Sequence, residues 1–340
     1  MSKPEQITTL RLKSRPTGRV KETDLQVKKE PVPALQEGQC LVQNVYISLD
    51  PTHRIWMSDI PQYMDPVNIG DVMRAMTIGK VIESKNPDFP VGTYVSGSGG
   101  IADYFVGIPG QTVFFPVSPD KVPLSTYGTV LSMIIGLTAW YGTRKILEVK
   151  EGDIVLVSGA AGAVGSLVGQ LAKVQGAKVI GVAGGPTKCQ KLTDYYGFDV
   201  AIDYKSQNVS DEIKNAAPDG ITCYFDNVGG EVSEAALANF QNYGRYCLCG
   251  SISEYEDKWS GIKNFNMLLM RRITLRGFIC SDHAEHFGEC VAEISDLITK
   301  GQIKYDEDIR KVGLEQYVST LNDLFDGKNT GKLLMQIADE

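Results

Sequence analysis

Short alternating runs of apolar and polar residues fill the chain from its start to about residue 116. Residues 39–48, 77–83 and 101–106 are examples, and glycine and proline residues separate such runs. Alternation with a period of two is typical of half-buried strands, and frequent turn residues favour an all-β module. Because the pattern changes near Ser125, we predict a first domain over residues 1–127.

Strands and helices alternate from residue 154 to about residue 300. The run 154–157 is fully apolar, as expected for a strand covered on both faces, and a helical face follows over 163–175 until Gly176 ends it. The remaining predicted strands and helices are 178–183, 187–196, 200–202, 211–217, 221–225, 231–240 and 246–249. This order is typical of a doubly wound parallel sheet, which we place in residues 128–302.

The last part of the chain does not continue this alternation. Residues 303–309 are predicted to form a strand, 314–325 a helix and 332–337 a final strand. The sequence therefore predicts an α/β protein with two domains and a short C-terminal segment, 303–340.

Composition narrows the class of protein. Hydrophobic residues make up 43% of the chain and charged residues 22%, which is typical of a globular protein. The net charge of −7 offers no basic surface for a nucleic acid or an anionic membrane. No signal peptide is recognised, and the longest apolar stretch, 130–141, is too short to span a bilayer. Seven cysteines scattered through apolar segments indicate buried reduced thiols and a cytoplasmic location.

A glycine-rich turn joins the first strand and the first helix of the alternating region. It contains Gly159, Gly162 and Gly165, and a second strand follows the helix. Gly162 allows the backbone to approach a pyrophosphate, whose charge is then stabilised by amides at the start of the helix. Gly165 allows that helix to pack closely on the sheet. An ordinary crossover is the alternative, but the full strand–turn–helix context favours a dinucleotide.

The end of the second strand indicates which dinucleotide binds. An NAD site has an acidic residue there for the ribose 2′-hydroxyl, whereas this chain reads Ala183-Gly-Gly-Pro-Thr-Lys188. Without a carboxylate, a 2′-phosphate is not repelled, and Lys188 supplies the opposite charge. The alternative is that Lys188 is a solvated residue in the first turn of a helix. We predict that the cofactor is NADP (NADPH).

Two other classes of dehydrogenase are excluded by their own signatures. A short-chain dehydrogenase requires Tyr-x-x-x-Lys after the glycine turn, whereas here the spacing occurs only at Tyr141 and Lys145, before it. A catalytic zinc requires three protein ligands, often His and Cys. His53 stands alone, and the spacing of His283 and His286 does not direct both rings at one ion. We therefore predict no metal site.

Motifs beyond the glycine turn establish a family resemblance. They are Asp203-Tyr-Lys205, Tyr224-Phe-Asp-Asn-Val-Gly-Gly230, Cys249-Gly-Ser-Ile-Ser-Glu-Tyr255 and Gly327-Lys-Asn-Thr-Gly-Lys332. Together they resemble the zinc-independent medium-chain dehydrogenase/reductases. Within that family, the chain is most similar to the prostaglandin reductase (leukotriene hydroxydehydrogenase) and NADP-dependent alkenal double-bond reductase branch.

The resemblance implies both a fold and an activity. Residues 1–127, completed by 303–340, would form a GroES-like β-barrel catalytic domain that holds the substrate, and 128–302 would form a Rossmann domain. The activity would be reduction of a carbon–carbon double bond conjugated to a carbonyl, with NADPH as hydride donor. The protein would be a homodimer that pairs edge strands near 273–278. A quinone reductase of the same fold and an NADPH-binding protein without turnover remain as alternatives.

The resemblance also assigns individual residues to the cofactor. Residues 162–165 would hold the pyrophosphate, and Lys188 and Tyr204 would lie at the 2′-phosphate. The complete cofactor set is Gly162, Ala163, Val164, Gly165, Lys188, Tyr204, Asn227, Cys249, Gly250, Ser251, Ile252, Ser253, Tyr255, Phe278, Ile279, Cys280 and Asn329. Most of these follow predicted strand ends, where open α/β sheets bind ligands. Local backbone bonding is the alternative role for Asn227 and Asn329.

The expected reaction requires a hydrogen-bond donor. Hydride addition to the β-carbon of an enone leaves an enolate oxygen, and a proton must then reach the α-carbon. We predict that Tyr255 is this catalytic donor, with Tyr63 as second candidate and the ribose hydroxyl of the cofactor as a further donor. In one departure from the family, Asp50-Pro-Thr-His-Arg54 replaces the common Asp-Pro-Tyr-Met-Arg, which would place His53 on the pocket wall.

Overall fold

The computed structural model describes residues 4–110, 113–120, 122–256 and 261–340. The chain divides into two compact units, one formed by Met1–Thr129 with Glu307–Glu340 and the other by Val130–Asp306. The chain therefore leaves the first unit once and later returns to it. The boundaries expected from the sequence, 127/128 and 302/303, lie slightly earlier in the chain.

The N-terminal part of the first unit is built from antiparallel strands. They are β1 (Gln6–Leu12), β2 (Leu25–Pro31), β3 (Cys40–Ser48), β4 (Thr77–Ser84), β5 (Tyr94–Gly97), β6 (Tyr104–Gly107) and β7 (Phe114–Val117). β1 pairs with β2, whereas β3, β4, β5 and β7 lie side by side and β6 pairs with β3. A short helix, α1 (Thr52–Trp56), follows β3, and 3₁₀ turns occupy Glu22–Asp24 and Leu124–Gly128.

A parallel sheet forms the centre of the second unit. Its strands are β8 (Ile154–Val157), β9 (Lys178–Ala183), β10 (Val200–Asp203), β11 (Ile221–Asp226), β12 (Phe240–Leu248) and β13 (Thr274–Gly277). Their spatial order is β10-β9-β8-β11-β12-β13, and neighbouring strands run parallel. This is the 3-2-1-4-5-6 order of a Rossmann fold, as predicted, and its order reverses next to β8.

Helices connect these strands. They are α2 (Thr138–Tyr141), α3 (Ala163–Val174), α4 (Pro186–Asp194), α5 (Val209–Ala216), α6 (Gly230–Ala238), α7 (Met267–Arg271) and α8 (Phe287–Thr299). π-helical turns at Met133–Leu137 and Gly142–Ile146 flank α2, and 3₁₀ turns occupy Ile252–Glu254 and Cys280–His286. Within the described ranges, no helix combines the length and apolar character needed to cross a membrane.

The C-terminal segment completes the first unit. It contains β14 (Glu307–Lys311), a 3₁₀ turn at Leu314–Gln316, α9 (Tyr317–Phe325) and β15 (Lys332–Gln336), and β15 pairs with both β14 and β3. Ser125 and Thr129 donate hydrogen bonds to the Glu307 carboxylate, at 2.7 and 2.9 Å, where the chain leaves and re-enters this unit.

Two predicted strands begin in the wrong place. The strand expected at 246–249 begins at Phe240, at the end of the predicted helix 231–240, because Phe240 already pairs with Ile221 of β11. The strand expected at 303–309 begins at Glu307. Residues 303–306 belong to the second unit, where Gln170 exchanges two hydrogen bonds with the backbone of Lys304, at 2.8 and 2.7 Å. The Lys304 backbone groups are therefore bonded to the Gln170 side chain rather than to a neighbouring strand, although the sequence pattern of the segment is that of a strand.

Candidate cofactor site at the strand ends of the second unit

The turn between β8 and α3 leaves backbone amides outside the helical hydrogen-bond pattern. Gly159 has a left-handed φ of 58°, and its carbonyl accepts a bond from the Gly162 amide at 2.9 Å. The Ser166 amide donates to the Gly162 carbonyl at 2.9 Å, which is the first helical hydrogen bond of α3. The amides of 163–165 come before it in the chain and therefore lie outside the helical pattern. Gly162 precedes α3 and has no side chain to cover them. Such a turn suits an anionic diphosphate.

Gly165 determines how closely α3 approaches this turn. A Cβ atom at Gly165 would lie 2.4 Å from the carbonyl oxygen of Gly159 and 2.9 Å from the Cα of Ala160. Both neighbours are backbone atoms, so a side chain would push the helix away from the turn. The close approach predicted for Gly165 is present in the structure.

Asp203 connects the loops that follow β9 and β10. Its Oδ1 accepts hydrogen bonds from the amides of Gly185 and Lys205, at 2.7 and 3.0 Å. The Tyr204 amide also donates to the last residue of β9, at 3.1 Å. These bonds bring the loop that carries Tyr204 beside the loop that leads to Lys188.

Positive charge and a hydroxyl group meet at these two loops. Lys188 is half-buried, and burial followed by the charge of Lys205 lowers its pKa. A Cβ atom at Gly184 would lie 2.8 Å from the Tyr204 hydroxyl, so that side chain lies over the β9 loop. Two close ammonium groups favour a phosphate between them. The sequence prediction missed Lys205, although it follows Tyr204 in the motif that establishes the resemblance.

Asn227 follows β11 directly and is held by Ser158, the residue after β8. The Asn227 Nδ2 donates to the Ser158 carbonyl at 2.7 Å, and the Asn227 amide donates to Ser158 Oγ at 2.9 Å. Ser158 Oγ in turn donates to Asp226 Oδ1 at 2.8 Å. The sequence prediction missed Ser158 and Asp226, although each is a polar residue at the end of an apolar strand.

The loop after β12 is attached to the loop after β11. The amides of Cys249 and Gly250 donate to the carbonyl of Asp226, at 2.9 and 3.0 Å, and the Ile252 amide donates to that of Asn227, at 3.2 Å. Residues 249–253 and Asn227 therefore share one end of the sheet.

Tyr255 folds back over its own loop. Its hydroxyl accepts a hydrogen bond from the Ser251 amide at 3.1 Å, and a Cβ atom at Gly250 would lie 2.9 Å from it. A tyrosine hydroxyl can both donate and accept a hydrogen bond. The geometry is therefore compatible with the donor role that the sequence predicts for Tyr255.

The loop after β13 contains Phe278 and Cys280. The Phe278 ring lies 5.7 Å from that of Tyr141, between centroids. Burial raises the pKa of Cys249 and Cys280, so both are protonated thiols rather than nucleophiles at neutral pH. These side chains can line a site, but they do not supply a reactive group.

Tyr63 and Asn329 belong to the first unit. The Tyr63 side chain is 43% exposed and its hydroxyl accepts a hydrogen bond from Trp56 Nε1 at 2.8 Å. Asn329 is buried, and its Nδ2 donates to the Gly331 carbonyl at 2.7 Å. The local bond named as the alternative role of Asn329 is therefore present.

His53 is fully buried in the first unit. Its Nδ1 shares a hydrogen bond with the Tyr317 hydroxyl at 3.0 Å, and its ring stacks on Trp56 at 5.3 Å between centroids. Nearby, the buried Lys332 ammonium lies 2.9 Å from Asp50 Oδ1. The expectation that the imidazole forms part of a pocket wall is wrong, because aromatic packing draws the ring into the core.

A Rossmann sheet with nucleotide-binding loops, inserted between two parts of a β domain, defines the medium-chain dehydrogenase/reductase class. Residues 8–114 match the family model described as the N-terminal domain of oxidoreductase, and residues 163–296 match the model described as zinc-binding dehydrogenase. In the part of the chain that the structure describes, no three His, Cys, Asp or Glu side chains are grouped to hold a metal ion.

Individual relatives identify the branch. The chain is 37% identical to the NADP(+)-dependent 2-alkenal reductase of Nicotiana tabacum, over 97% of each chain. It is 35% identical to prostaglandin reductase 1 of Bos taurus, over 92% of this chain and 94% of the relative. The crystal structure of CurA from Vibrio vulnificus in complex with NADPH superposes with a TM-score of 0.91 at 35% identity, covering 98% of this chain and 100% of CurA. The chain belongs to the prostaglandin reductase and alkenal double-bond reductase branch, which confirms the predicted resemblance.

Proposed function

We propose that this protein reduces the carbon–carbon double bond of α,β-unsaturated aldehydes and ketones. NADPH, when bound, supplies the hydride that adds to the β-carbon. The observation that carries the proposal is the group of open amides at 163–165 together with Lys188, at the end of a strand without an acidic residue. Relatives named for NADP-dependent reduction of alkenals support the same activity.

The loops at the strand ends of the second unit bind the cofactor in this proposal. The amides of 163–165 bind its diphosphate, and Lys188 and Tyr204 bind the 2′-phosphate. Asn227 and the loops 249–255 and 278–280 contact the nicotinamide half, and Asn329 is a further ligand from the first unit. The first unit, formed by Met1–Thr129 with Glu307–Glu340, holds the substrate in this proposal.

Tyr255 has the catalytic role in this proposal. Negative charge develops on the carbonyl oxygen as hydride reaches the β-carbon, and a hydroxyl donor stabilises it. The Ser251 amide holds the Tyr255 hydroxyl at the end of the sheet by donating to it at 3.1 Å. Tyr63 is the second candidate because its hydroxyl also accepts from an N–H donor, that of Trp56.

A substrate panel tests the proposal. We expect NADPH consumption with an enone and an enal, a product with a saturated α,β bond, and a much lower kcat/KM with NADH. The same rates in the presence of a chelator are expected for a metal-independent enzyme. A higher kcat/KM for a quinone would favour the quinone reductase, and absence of turnover with every conjugated carbonyl would favour a binding protein.

We also propose that the protein is a homodimer that pairs β13 with β13 of a second copy. β13 is an edge strand, and it has a hydrogen-bonded neighbour only at β12 among the described residues. The exposed apolar side chains of Phe265, Leu269 and Met270 precede it in the chain. Paired edges and covered apolar surface both favour association.

Sedimentation velocity tests the dimer. Leu269→Glu is expected to shift the protein to monomer, because the charge would be buried against the second copy. Ile69→Glu places the same charge on an exposed apolar residue of the first unit and is expected to leave the dimer intact. A wild-type monomer, or equal effects of the two changes, would contradict the proposed interface.

We further propose a cytoplasmic location, which is supported by the free state of all seven cysteines. Thiol counting by mass spectrometry, on protein isolated under alkylating conditions, tests whether the cysteines are reduced, as a cytoplasmic location requires. Full alkylation is expected, whereas native disulfides would contradict the proposal.

A further inference from the structure

Asp226 is a completely buried carboxylate that the proposed reaction does not use. Donors from three strand ends, one helix and one loop converge on its two oxygens. They are Ser158 Oγ (2.8 Å), Tyr224 Oη (2.7 Å), the amides of Val228 (2.9 Å) and Gly229 (3.0 Å), Tyr246 Oη (2.6 Å) and Ser233 Oγ.

These partners fix the carboxylate as a hydrogen-bond acceptor. Every partner has a proton to offer, and a backbone amide can only donate, so a group that only accepts satisfies all of them. Burial, followed by the charge of Asp226, raises the pKa of Tyr224 and Tyr246, which keeps both phenolic protons in place. A buried charge with this many donors resists movement, because any displacement would leave it unpaired.

Ser158 connects this carboxylate to the loop that carries Asn227. Its Oγ donates to Asp226 and accepts from the Asn227 amide, at 2.8 and 2.9 Å, while its carbonyl accepts from Asn227 Nδ2 at 2.7 Å. A carbonyl oxygen only accepts, so the side-chain amide must direct its nitrogen to Ser158. Its Oδ1 then faces away from the carbonyl and can only accept.

We propose that Asp226 and Ser158 are positioning residues that orient the Asn227 amide oxygen as an acceptor for a hydroxyl or N–H group on the nicotinamide-ribose half of the cofactor. The inference rests on the proposed NADPH site. In it, the Asp226 carboxylate acts through Ser158 and Asn227 rather than by touching the cofactor. Reversal of the Asn227 amide would place its oxygen against the Ser158 main-chain carbonyl, so that carbonyl determines which half of the amide the cofactor meets. The Ser158 hydroxyl holds the Asn227 backbone, and with it the whole side chain, in place against Asp226.

Binding of the whole and half cofactor tests the proposal. The ligands are NADP⁺ and 2′,5′-ADP, which contains the phosphorylated adenosine but no nicotinamide ribose. Ser158→Ala keeps the main-chain carbonyl but removes the hydroxyl that joins the Asn227 amide to Asp226, so Asn227 is expected to lose its fixed position. NADP⁺ binding is expected to weaken about tenfold, which corresponds to about 1.4 kcal/mol. Affinity for 2′,5′-ADP is expected to stay within about twofold. Its proposed ligands are Lys188 and Tyr204 for the 2′-phosphate and the amides of 163–165 for the 5′-phosphate, whereas the hydrogen bonds found for Ser158 among the described residues go to Phe225, Asp226 and Asn227.

Ser233→Ala is the matched control. It removes another hydroxyl donor from the same carboxylate. Among the described residues, the Ser233 hydroxyl is hydrogen-bonded to Asp226 and Tyr224 and not to Asn227. We expect Ser233→Ala to lower thermal stability without changing the ratio of the two affinities. Equal weakening of both ligands by Ser158→Ala, or no weakening of either, would overturn the proposal.

Asn227→Asp provides a test that does not depend on the folding of a buried serine variant. Aspartate has no N–H to donate to the Ser158 carbonyl, so its side chain is repelled and the NADP⁺-selective loss is expected again. Unchanged NADP⁺ affinity would overturn the inference while leaving the proposed function intact. A wild-type protein that binds neither ligand would instead overturn the proposed function and this inference with it.

Discussion

His53 and Tyr317 share a hydrogen bond of 3.0 Å between Nδ1 and the phenolic oxygen. His53 lies in α1 near the start of the chain, whereas Tyr317 begins α9 near its end. The ion pair of Asp50 and Lys332 connects the same two regions at 2.9 Å. Buried polar contacts thus join the two chain segments of the first unit. The His53 imidazole is fully buried among the residues that the structure describes.

Acid is expected to destabilise the protein through His53. Burial lowers the pKa of His53 from 6.5 to about 4, against a raising effect of Asp50 and with a further lowering by Lys332. The unfolded chain binds this proton below about pH 6.5, and the folded chain only below about pH 4. The contribution of His53 to the free energy of unfolding is therefore fully present above pH 6.5 and is lost as the pH falls towards 4, by roughly 3 kcal/mol. Urea unfolding across this interval measures the loss.

A double variant isolates the histidine. His53→Met with Tyr317→Phe removes the imidazole and leaves no unpaired hydroxyl, so its free energy of unfolding should vary much less between pH 6.5 and pH 4. Asp50, whose pKa is lowered, loses its contribution only as pH falls below its unfolded value of 3.8, outside this interval. If the free energy of unfolding of the double variant still falls by the wild-type amount between pH 6.5 and pH 4, His53 does not cause the pH dependence.

Lys188→Gln is expected to weaken NADPH binding. A charge-assisted hydrogen bond contributes about 1.5–3 kcal/mol, so the Kd for NADPH should rise roughly 10- to 100-fold while that for NADH changes little. Lys173→Gln is the control, since Lys173 pairs with Asp199 at 2.8 Å and belongs to the same unit. Equal losses for both nucleotides would show that Lys188 does not read the 2′-phosphate.

Tyr255→Phe is expected to lower kcat on an enone by about 10²–10³, the usual effect of one lost transition-state donor. The Kd for NADPH should change much less, because the ring remains. Tyr63→Phe provides the comparison in stopped-flow measurements of both steps. A kcat that falls only in Tyr63→Phe would transfer the catalytic role to that residue.

Gly165→Ala is expected to displace α3 from the turn. The added methyl would lie 2.4 Å from the Gly159 carbonyl oxygen, and overpacking of this kind costs about 1–3 kcal/mol. NADPH binding should be lost with it, because the amides of 163–165 move. Gly288→Ala, in α8 with no neighbouring heavy atom within 4 Å, is the control and should match or exceed wild-type stability in thermal unfolding. Equal thermal stability and equal NADPH affinity of the two variants would show that a methyl group at Gly165 does not displace α3.

Much of the second unit could be predicted from sequence, although β12 begins before the predicted strand 246–249 and neither α7 nor β13 is among the elements that the pattern predicts. Runs such as 154–157 are apolar throughout because both faces are covered, and Gly176 ends α3 with a left-handed φ of 81°. Local pattern and tertiary environment agree in this region. They disagree at 303–306, where the side chain of Gln170 binds the backbone of Lys304 and delays the strand.

Buried polar contacts could not be predicted in the same way. The donors to Asp226 come from β8, β11, β12 and α6, whose side chains meet only after the sheet and helix have packed. Its position before Asn227 indicated a strand end and nothing about its partners. His53 likewise belongs to no periodic pattern, so its burial against Tyr317 depends on a residue far away in the chain.

A hydrogen bond of 2.9 Å joins Thr129 and Glu307. The chain leaves the first unit after Thr129 and re-enters it at Glu307. Since these points are neighbours, a short peptide bridging them would let the barrel segments fold as one continuous polypeptide. The nucleotide-binding unit is thus inserted at a single position of the first unit, between Thr129 and Glu307.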